Sequence, residues 1–173
     1  MTPKSSVIIR TAGPGEAPQI HALIAAHLAE GHLLPRALGE LTVHAGRFIV
    51  AVRRRRIVGC GELAPLSHEV AEIRSLVVDG MARNLGVGRQ IVAELRRRAR
   101  LDGYDRLCAF THDPVFFVRL GFSIVPHVWL PEKITTDCRT CSLFRACGQY
   151  AMVLSLQLQA EACDDALAAL AVE

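Results

Sequence analysis

A glycine-bearing loop with two arginines lies where a strand pattern gives way to a long helix pattern, in segment 79–89. Unpaired amides at a helix N-terminus favour an anion, and glycine lets the backbone approach it closely. The loop lacks the glycine spacing of a dinucleotide fingerprint and the Gly-Lys-Ser/Thr of a P-loop. Its spacing predicts a cradle for a diphosphate, with a simple tight turn as the alternative. The residues assigned to this cradle are Arg83, Asn84, Leu85, Gly86, Val87, Gly88 and Arg89.

The elements around this loop alternate between strand and helix patterns, which predicts a single mixed α/β domain over residues 1–173, with its core at about 7–158. Residues 72–78 become apolar on successive positions, as expected of a central strand buried on both faces. Residues 87–101 carry an apolar stripe at helical spacing. Further strands are predicted at 7–10, 47–53, 57–63, 106–111, 122–125 and 151–158, and further helices at 17–30, 114–120 and 159–172.

Two motifs in these elements resemble the GNAT acyltransferase superfamily. The pattern Arg83-x-x-Gly86-x-Gly88 is similar to the family's acetyl-CoA pyrophosphate loop, and segment 116–122 is similar to its F-Y-x-x-x-G-F segment. The resemblance implies a GNAT fold, in which a central splayed mixed β-sheet is flanked by helices. It also implies acetyl-CoA as co-substrate, with the pantetheine arm in the opening of the sheet. The residues that the resemblance adds to the cofactor site are Leu76, Val77, Val78 and Phe117.

Three passages, at 32–41, 71–78 and 129–154, resemble the acetyltransferase domain of the N-acetylglutamate synthases more closely. This resemblance implies direct acetylation of the α-amino group of L-glutamate, the first step of arginine biosynthesis. A chain of 173 residues is too short for the amino-acid kinase domain that many such enzymes carry. The sequence is therefore similar to the short, single-domain synthases, and the resemblance implies that the usual site for feedback by arginine is missing.

The resemblance also assigns the catalytic roles. Acetyl transfer to an amine needs a neutral amine and a proton for the leaving thiolate. Glu72 matches the family's candidate base. The family's usual acid is a tyrosine, but its position here is Phe117, which has no proton to give. Ser75 is retained as a catalytic candidate, with Thr111, His112 and water as the other proton sources.

A glutamate substrate brings two carboxylates, which need cationic partners. Arg36 matches the arginine of the family's substrate loop, and an arginine fork suits a carboxylate better than a lysine does. Arg74 follows Glu72 by two residues, so it is expected on the same face of the strand. Lys133 is the third candidate for binding the substrate.

The cysteines Cys138, Cys141 and Cys147 have a spacing that could serve a metal. A structural zinc needs four ligands, and this segment contains one Cys-x-x-Cys pair only. Zinc is therefore possible here but is not predicted, and the alternatives are ordinary thiols in a loop near the substrate or a redox pair.

Composition excludes several classes of protein. Of the 173 residues, 51% are hydrophobic and 21% are charged, which argues against a disordered chain. No apolar run reaches the length of a membrane span, and the first ten residues do not read as a signal peptide. A net charge of +3 is too small to indicate by itself that the protein binds nucleic acid. We expect a cytoplasmic enzyme, with a homodimer as a possible assembly.

Two alternatives to a glutamate acetyltransferase stay open. The first is the same chemistry on another small amine, such as glutamine or ornithine, because a fold does not fix the acceptor. The second is a non-catalytic sensor of acyl-CoA, which the phenylalanine at position 117 keeps open.

Overall fold

The computed structural model describes residues 6–157, which contain a seven-stranded sheet in the order β1-β2-β3-β4-β5-β7-β6. All neighbouring strands run antiparallel except β4 and β5, which are parallel. This mixed sheet confirms the predicted α/β fold. The strands are β1 (Ile8–Thr11), β2 (Phe48–Arg53), β3 (Arg56–Pro65), β4 (Val70–Val78), β5 (Arg106–Thr111), β6 (Ser123–Val125) and β7 (Tyr150–Ser155).

Five α-helices flank the sheet in the described part of the chain: α1 (Ala17–Ala26), α2 (Leu38–Val43), α3 (Val87–Leu101), α4 (Pro114–Val118) and α5 (Pro131–Thr136). The predicted helix 17–30 ends at Ala26 and continues as a 3-10 turn, Leu28–Glu30. The six-residue helices α2 and α5 were not predicted, since six residues are too few to show a helical period. None of the described helices has the length and apolar character needed to cross a membrane. The predicted C-terminal helix 159–172 lies outside the described residues.

Helix α3 packs closely on β3 because glycines of that strand leave room for it. A Cβ added at Gly61 would lie 3.0 Å from side-chain atoms of both Ile91 and Leu95. The opposite face of the sheet is covered by α1, whose Ile20 and Ile24 are buried in a second apolar cluster. The core therefore has two layers, one on each face of the central strands.

The sheet opens between its two central parallel strands. β4 pairs with β5 only from Val70 to Ile73, although β4 continues to Val78. The other edge of β4 stays paired with β3 to Val78, with a bulge where the register shifts. The second half of β4 therefore has one edge of main-chain groups facing an opening, as the predicted splayed sheet requires.

Candidate active site

A buried carboxylate lies at the centre of the site. Glu72, on β4, is 3% exposed. Lys133 of α5 donates to its Oε1 at 2.8 Å and to its Oε2 at 2.9 Å, and Arg74 Nε donates to Oε2 at 2.6 Å. Two cations therefore compensate the charge that burial would otherwise disfavour. Each carboxylate oxygen can accept about two hydrogen bonds, so Oε1 retains capacity for one more.

Asp137 is a second carboxylate partner of both Lys133 and Arg74. Its Oδ2 accepts from Lys133 Nζ at 2.8 Å and also accepts from Arg74. Burial opposes the charge of Arg74, but the carboxylates of Glu72 and Asp137 outweigh burial and raise its pKa. Asp137 was not among the residues predicted for catalysis or for binding the substrate. Its spacing of four residues from Lys133 on a helix was the available signal.

A second ion-pair group is centred on Arg36, which lies in the loop before α2. One terminal nitrogen of Arg36 donates to Glu62 and to Ser75 Oγ, both at 2.8 Å. Its Nε donates to Glu40 Oε2 at 3.2 Å, and its other terminal nitrogen donates to Glu40 Oε1 at 2.6 Å. Burial opposes the charge of Arg36, but the hydrogen bonds to Glu40 and Glu62 outweigh it, so the pKa of Arg36 is raised. Glu62, 2% exposed, was missed, although a glutamate within an apolar strand was a visible signal.

A bulge in β4 brings the two groups together. Glu62 on β3 lies directly opposite Arg74 on β4. Ser75 has a φ of +48°, which interrupts the alternation of the strand. Consecutive residues Arg74 and Ser75 consequently both bond to groups of the site. We call the resulting set the charged floor, which consists of Arg36, Glu40, Glu62, Glu72, Arg74, Lys133 and Asp137.

The structure brings together all three cations that the sequence assigned to the substrate, and each already binds carboxylates of the protein. The charged floor holds three cations and four carboxylates, so a substrate carboxylate must share or displace a partner. Glu40 has the most exposed side chain of the four carboxylates, at 45%, and it occupies the fork of Arg36. The side chain of Arg36 itself is 11% exposed. A substrate carboxylate that replaced Glu40 would meet a pre-oriented fork.

The glycine loop has the features of an anion cradle. Gly86, with a φ of +75°, precedes the first residue of α3, and no side chain caps this end of the helix. The first amides of α3 therefore keep their capacity to bind an anion. Asn84 also has a positive φ, of 61°. A Cβ at Gly88 would lie 3.5 Å from the ring of Phe116, so this turn of the helix fits closely against α4.

Arg83, the predicted diphosphate ligand, has partners within the protein. Its terminal nitrogen lies 2.7 and 2.8 Å from the two carboxylate oxygens of Glu30, and its Nε donates to the carbonyl of Val78 at 3.1 Å. Arg83 and Glu30 are about half exposed, and the hydrogen bond from Arg83 lowers the pKa of Glu30. Arg89 is exposed on the first turn of α3. Both arginines therefore lie at the cradle, with Arg83 tied to a neighbouring turn.

Phe117 occupies a core position. It is 5% exposed, and its ring meets the rings of Phe116 and Phe122 edge-to-face, each with centroids 5.2 Å apart. Its packing accounts for an aromatic residue here without any role for a hydroxyl group. The contact with cofactor that the sequence predicts for Phe117 stays a prediction.

Among the proposed proton donors, Ser75 is the one that contacts the charged floor. Its Oγ accepts from Arg36 and keeps its own hydrogen available for donation. Thr111 Oγ1 instead accepts from the amide of Asp113 at 3.0 Å and closes a turn. The ring of His112 lies 5.5 Å from that of His32, outside the ion-pair groups.

The predicted thiols lie in the segment after α5. Cys138 is half-buried, whereas Cys141 and Cys147 are exposed. Within residues 6–157, no three histidine, cysteine, aspartate or glutamate side chains are grouped so that they could hold a metal. Cys60 is fully buried in the core, and this burial raises its pKa to about 12.

A family model and two sequence relatives all identify this chain as similar to acetyltransferases. Residues 44–124 match the family described as acetyltransferase (GNAT) domain. The chain is 30% identical to an uncharacterized N-acetyltransferase of Chlorobaculum tepidum, over 89% of this chain and 99% of that protein. It is 31% identical to an amino-acid acetyltransferase of Mycobacterium tuberculosis, over 77% of this chain and 78% of that protein.

A solved structure shares the fold. It is N-acetylglutamate synthase from Neisseria gonorrhoeae complexed with coenzyme A and N-acetyl-glutamate. The TM-score is 0.79, with 28% identity over 89% of this chain. This chain spans only 36% of the length of that enzyme.

Proposed function

This chain belongs to the GNAT acetyltransferase family, and we propose that it transfers the acetyl group of acetyl-CoA to the α-amino group of L-glutamate. The amino-acid acetyltransferase of Mycobacterium tuberculosis, of which the chain covers 78%, supports an amino acid as acceptor. The gonococcal synthase, complexed with coenzyme A and N-acetyl-glutamate, supports both the donor and glutamate.

One observation carries this proposal: a buried carboxylate bound by two cations lies on the strand that borders the opening of the sheet. Glu72 is positioned on β4 within the stretch that still pairs with β5, next to the point where the two strands separate. An acetyl thioester in that opening would lie beside the charged floor. Arg36, in the loop before α2, and Lys133, on α5, both reach side chains of β4. Each would exchange or share a protein carboxylate to receive one of the two carboxylates of glutamate.

The proposed reaction is a direct transfer. The free lone pair of Glu72 Oε1 accepts a proton from the substrate ammonium, either directly or through a water molecule. The neutral amine then attacks the thioester carbonyl, and the carbon–sulfur bond breaks. In the same step the Ser75 hydroxyl donates its proton to the leaving thiolate and takes up the proton that the attacking nitrogen loses, so the hydroxyl is regenerated. Arg36 holds Ser75 Oγ in place for this transfer through its hydrogen bond of 2.8 Å.

The proposed cofactor site uses the loop and the open edge of β4. The diphosphate would bind the first amides of α3, with positive charge from Arg83 and Arg89. The pantetheine arm would bond to main-chain groups at 76–78, which no strand covers on the β5 side.

Mass spectrometry of the acetylated product tests this function directly. Purified protein is incubated with acetyl-CoA and, in separate reactions, with glutamate, glutamine, aspartate and ornithine. N-acetylglutamate as the dominant product supports the proposal, and Glu72→Gln should abolish it. The matched control is Glu132→Gln, since Glu132 binds Arg106 outside the charged floor. Product from another amine alone would overturn glutamate as acceptor, and no product from any amine would favour a sensor of acyl-CoA.

A second acceptor class has one observation in its favour. The charged floor contains four carboxylates against three cations, so an acceptor with an additional amine, such as ornithine, would balance its charge. The same assay separates the two cases, because the acetylated products differ in mass.

A further inference from the structure

A groove with an apolar base runs along the outer side of α3, on the face of the sheet opposite the charged floor. It encloses about 490 Å³. Its apolar lining comes from Val92 and Leu101 of α3 and from Leu120 and Phe122 beyond α4. Leu101 is 71% exposed and extends the apolar base of the groove to the end of α3.

Arginines border this groove, namely Arg89, Arg96, Arg97 and Arg100. Arg97 pairs with Glu94 on the same helix. Within residues 6–157, the other three form no ion pair, and Arg96 Nε is buried without a hydrogen-bond partner. A buried, unpartnered guanidinium nitrogen is costly, so an acceptor is expected to reach it. The groove therefore fits an occupant that is both apolar and acidic.

The chain itself supplies such a segment. Residues 158–173 contain four carboxylates and no lysine or arginine, with leucines among the alanines. The acidic residues are Glu161, Asp164, Asp165 and Glu173, and the larger apolar residues are Leu158, Leu167, Leu170 and Val172.

The described chain also ends near the C-terminal end of α3, whose Leu101 lines the groove. Ser155, the last residue of β7, lies opposite Arg106, just after the turn that follows α3. The amide of Leu156 donates to the carbonyl of Asp105 at 2.7 Å. The twelve residues 161–172 would span about 18 Å as a helix, and the thirteen residues of α3 from Arg89 to Leu101 cover about the same length.

We propose that the acidic segment 158–173 docks into the arginine-bordered groove on α3 of its own chain. Its carboxylates pair with Arg96 and Arg100, and its leucines cover the apolar base of the groove. The docked segment would cover the side of α3 that faces away from the charged floor. The proposed docking does not depend on which amine the enzyme acetylates.

Cross-linking with a carbodiimide tests the docking in the intact protein. This reagent joins a carboxylate to an amine without a spacer, and the sequence contains only two lysines, Lys4 and Lys133. Arg100→Lys places an amine in the groove without changing the charge. The control is Arg139→Lys, since Arg139 is exposed after α5, near the charged floor. The expected product joins the new amine of R100K to Glu161, Asp164 or Asp165, with no such product in R139K.

Isotope mixing identifies which copy supplies the segment. An equal mixture of unlabelled and ¹⁵N-labelled R100K should give cross-linked peptides of a single isotope only. Peptides of mixed isotope would assign the groove to a second copy and overturn the proposal. It would also be overturned if the acidic segment linked to Lys133 or to the control amine instead, or if R100K gave no link. In about 1 M salt, where screening acts within about 3 Å, the yield should fall.

Discussion

Lys133 Nζ bridges both oxygens of the buried Glu72, at 2.8 and 2.9 Å, and thereby ties α5 to the central strand. The two residues are 61 positions apart in the sequence. Leu130, buried just before α5, fixes the start of that helix against β4 and β5. The position of the lysine therefore depends on packing of the helix and on the ion pair together. A carboxylate held in this way has a defined orientation and one free lone pair.

Substitution of Glu72 tests its role as the base. Glu72→Gln should lower kcat by about 10²–10⁴-fold, because the amide cannot accept the proton of the ammonium. The dissociation constant of acetyl-CoA should be unchanged, as measured by calorimetry. Because the variant also leaves Lys133 and Arg74 with less compensation, its melting temperature should be compared with that of Glu132→Gln. A kcat within twofold of the wild-type value would remove Glu72 as the base.

Arg36 is expected to recognise a substrate carboxylate through its fork. Arg36→Lys keeps the charge beside Glu62 but loses the bidentate geometry, so KM for the amino acid should rise by about tenfold or more. The matched variant is Glu40→Gln, which weakens the competitor in the fork and should leave KM unchanged or lower it. Steady-state kinetics at saturating acetyl-CoA measures KM for the amino acid in both variants. A rise in KM for Glu40→Gln would show that Glu40 supports the fork rather than competing for it.

The sequence predicted the glycine loop well because its signals are local. Gly86 precedes a long amphipathic helix and Gly88 lies in its first turn, and the structure begins α3 at Val87, as predicted. The strand and helix boundaries around the loop follow from periodicity, which each segment shows by itself.

The sequence predicted the charged floor only in part, because its pairs join distant residues. Arg36, Arg74 and Lys133 were expected to be free for a substrate, yet each binds a carboxylate of another element. No spacing rule connects Arg36 to Glu62, since the two meet only after β3 has paired with β4. The bulge at Ser75 was equally invisible, because a serine rarely marks a positive φ.

Arg83 gives a test of the cofactor cradle that is separate from folding. Arg83→Ala should weaken binding of acetyl-CoA about tenfold, because a charged hydrogen bond to phosphate is lost. Stability should change little, since the pair with Glu30 is half exposed. Glu30→Gln frees Arg83 and should leave binding unchanged or tighten it. An unchanged dissociation constant for Arg83→Ala in calorimetry would exclude Arg83 from the cradle.

The lowered pKa of Glu16 predicts how the stability of the protein changes with pH. A hydrogen bond from Arg10 is the main cause that lowers the pKa of Glu16, from 4.5 to about 2. A lowered pKa in the folded state stabilises the protein above the unfolded value, and this contribution is lost as the pH falls from about 4.5 to about 2. Glu16→Gln should therefore destabilise the protein by about 0.5–1 kcal/mol at pH 7. The difference in free energy of unfolding should vanish near pH 2; a difference that persisted there would point to the Gly13 contact instead.

Two substitutions of Ser75 separate its hydroxyl from its backbone. Ser75 has a φ of +48°, which costs energy for any residue with a Cβ. Ser75→Ala removes the proton donor and keeps the strain, whereas Ser75→Gly removes the donor and relieves the strain, so the glycine variant should be more stable by about 1 kcal/mol. If the hydroxyl protonates the thiolate, both variants should lose kcat to a similar extent, and the loss should shrink with a thioester whose thiol leaves more readily. If only the alanine variant lost activity, the bulge itself, and not the hydroxyl, would be what catalysis requires at this position.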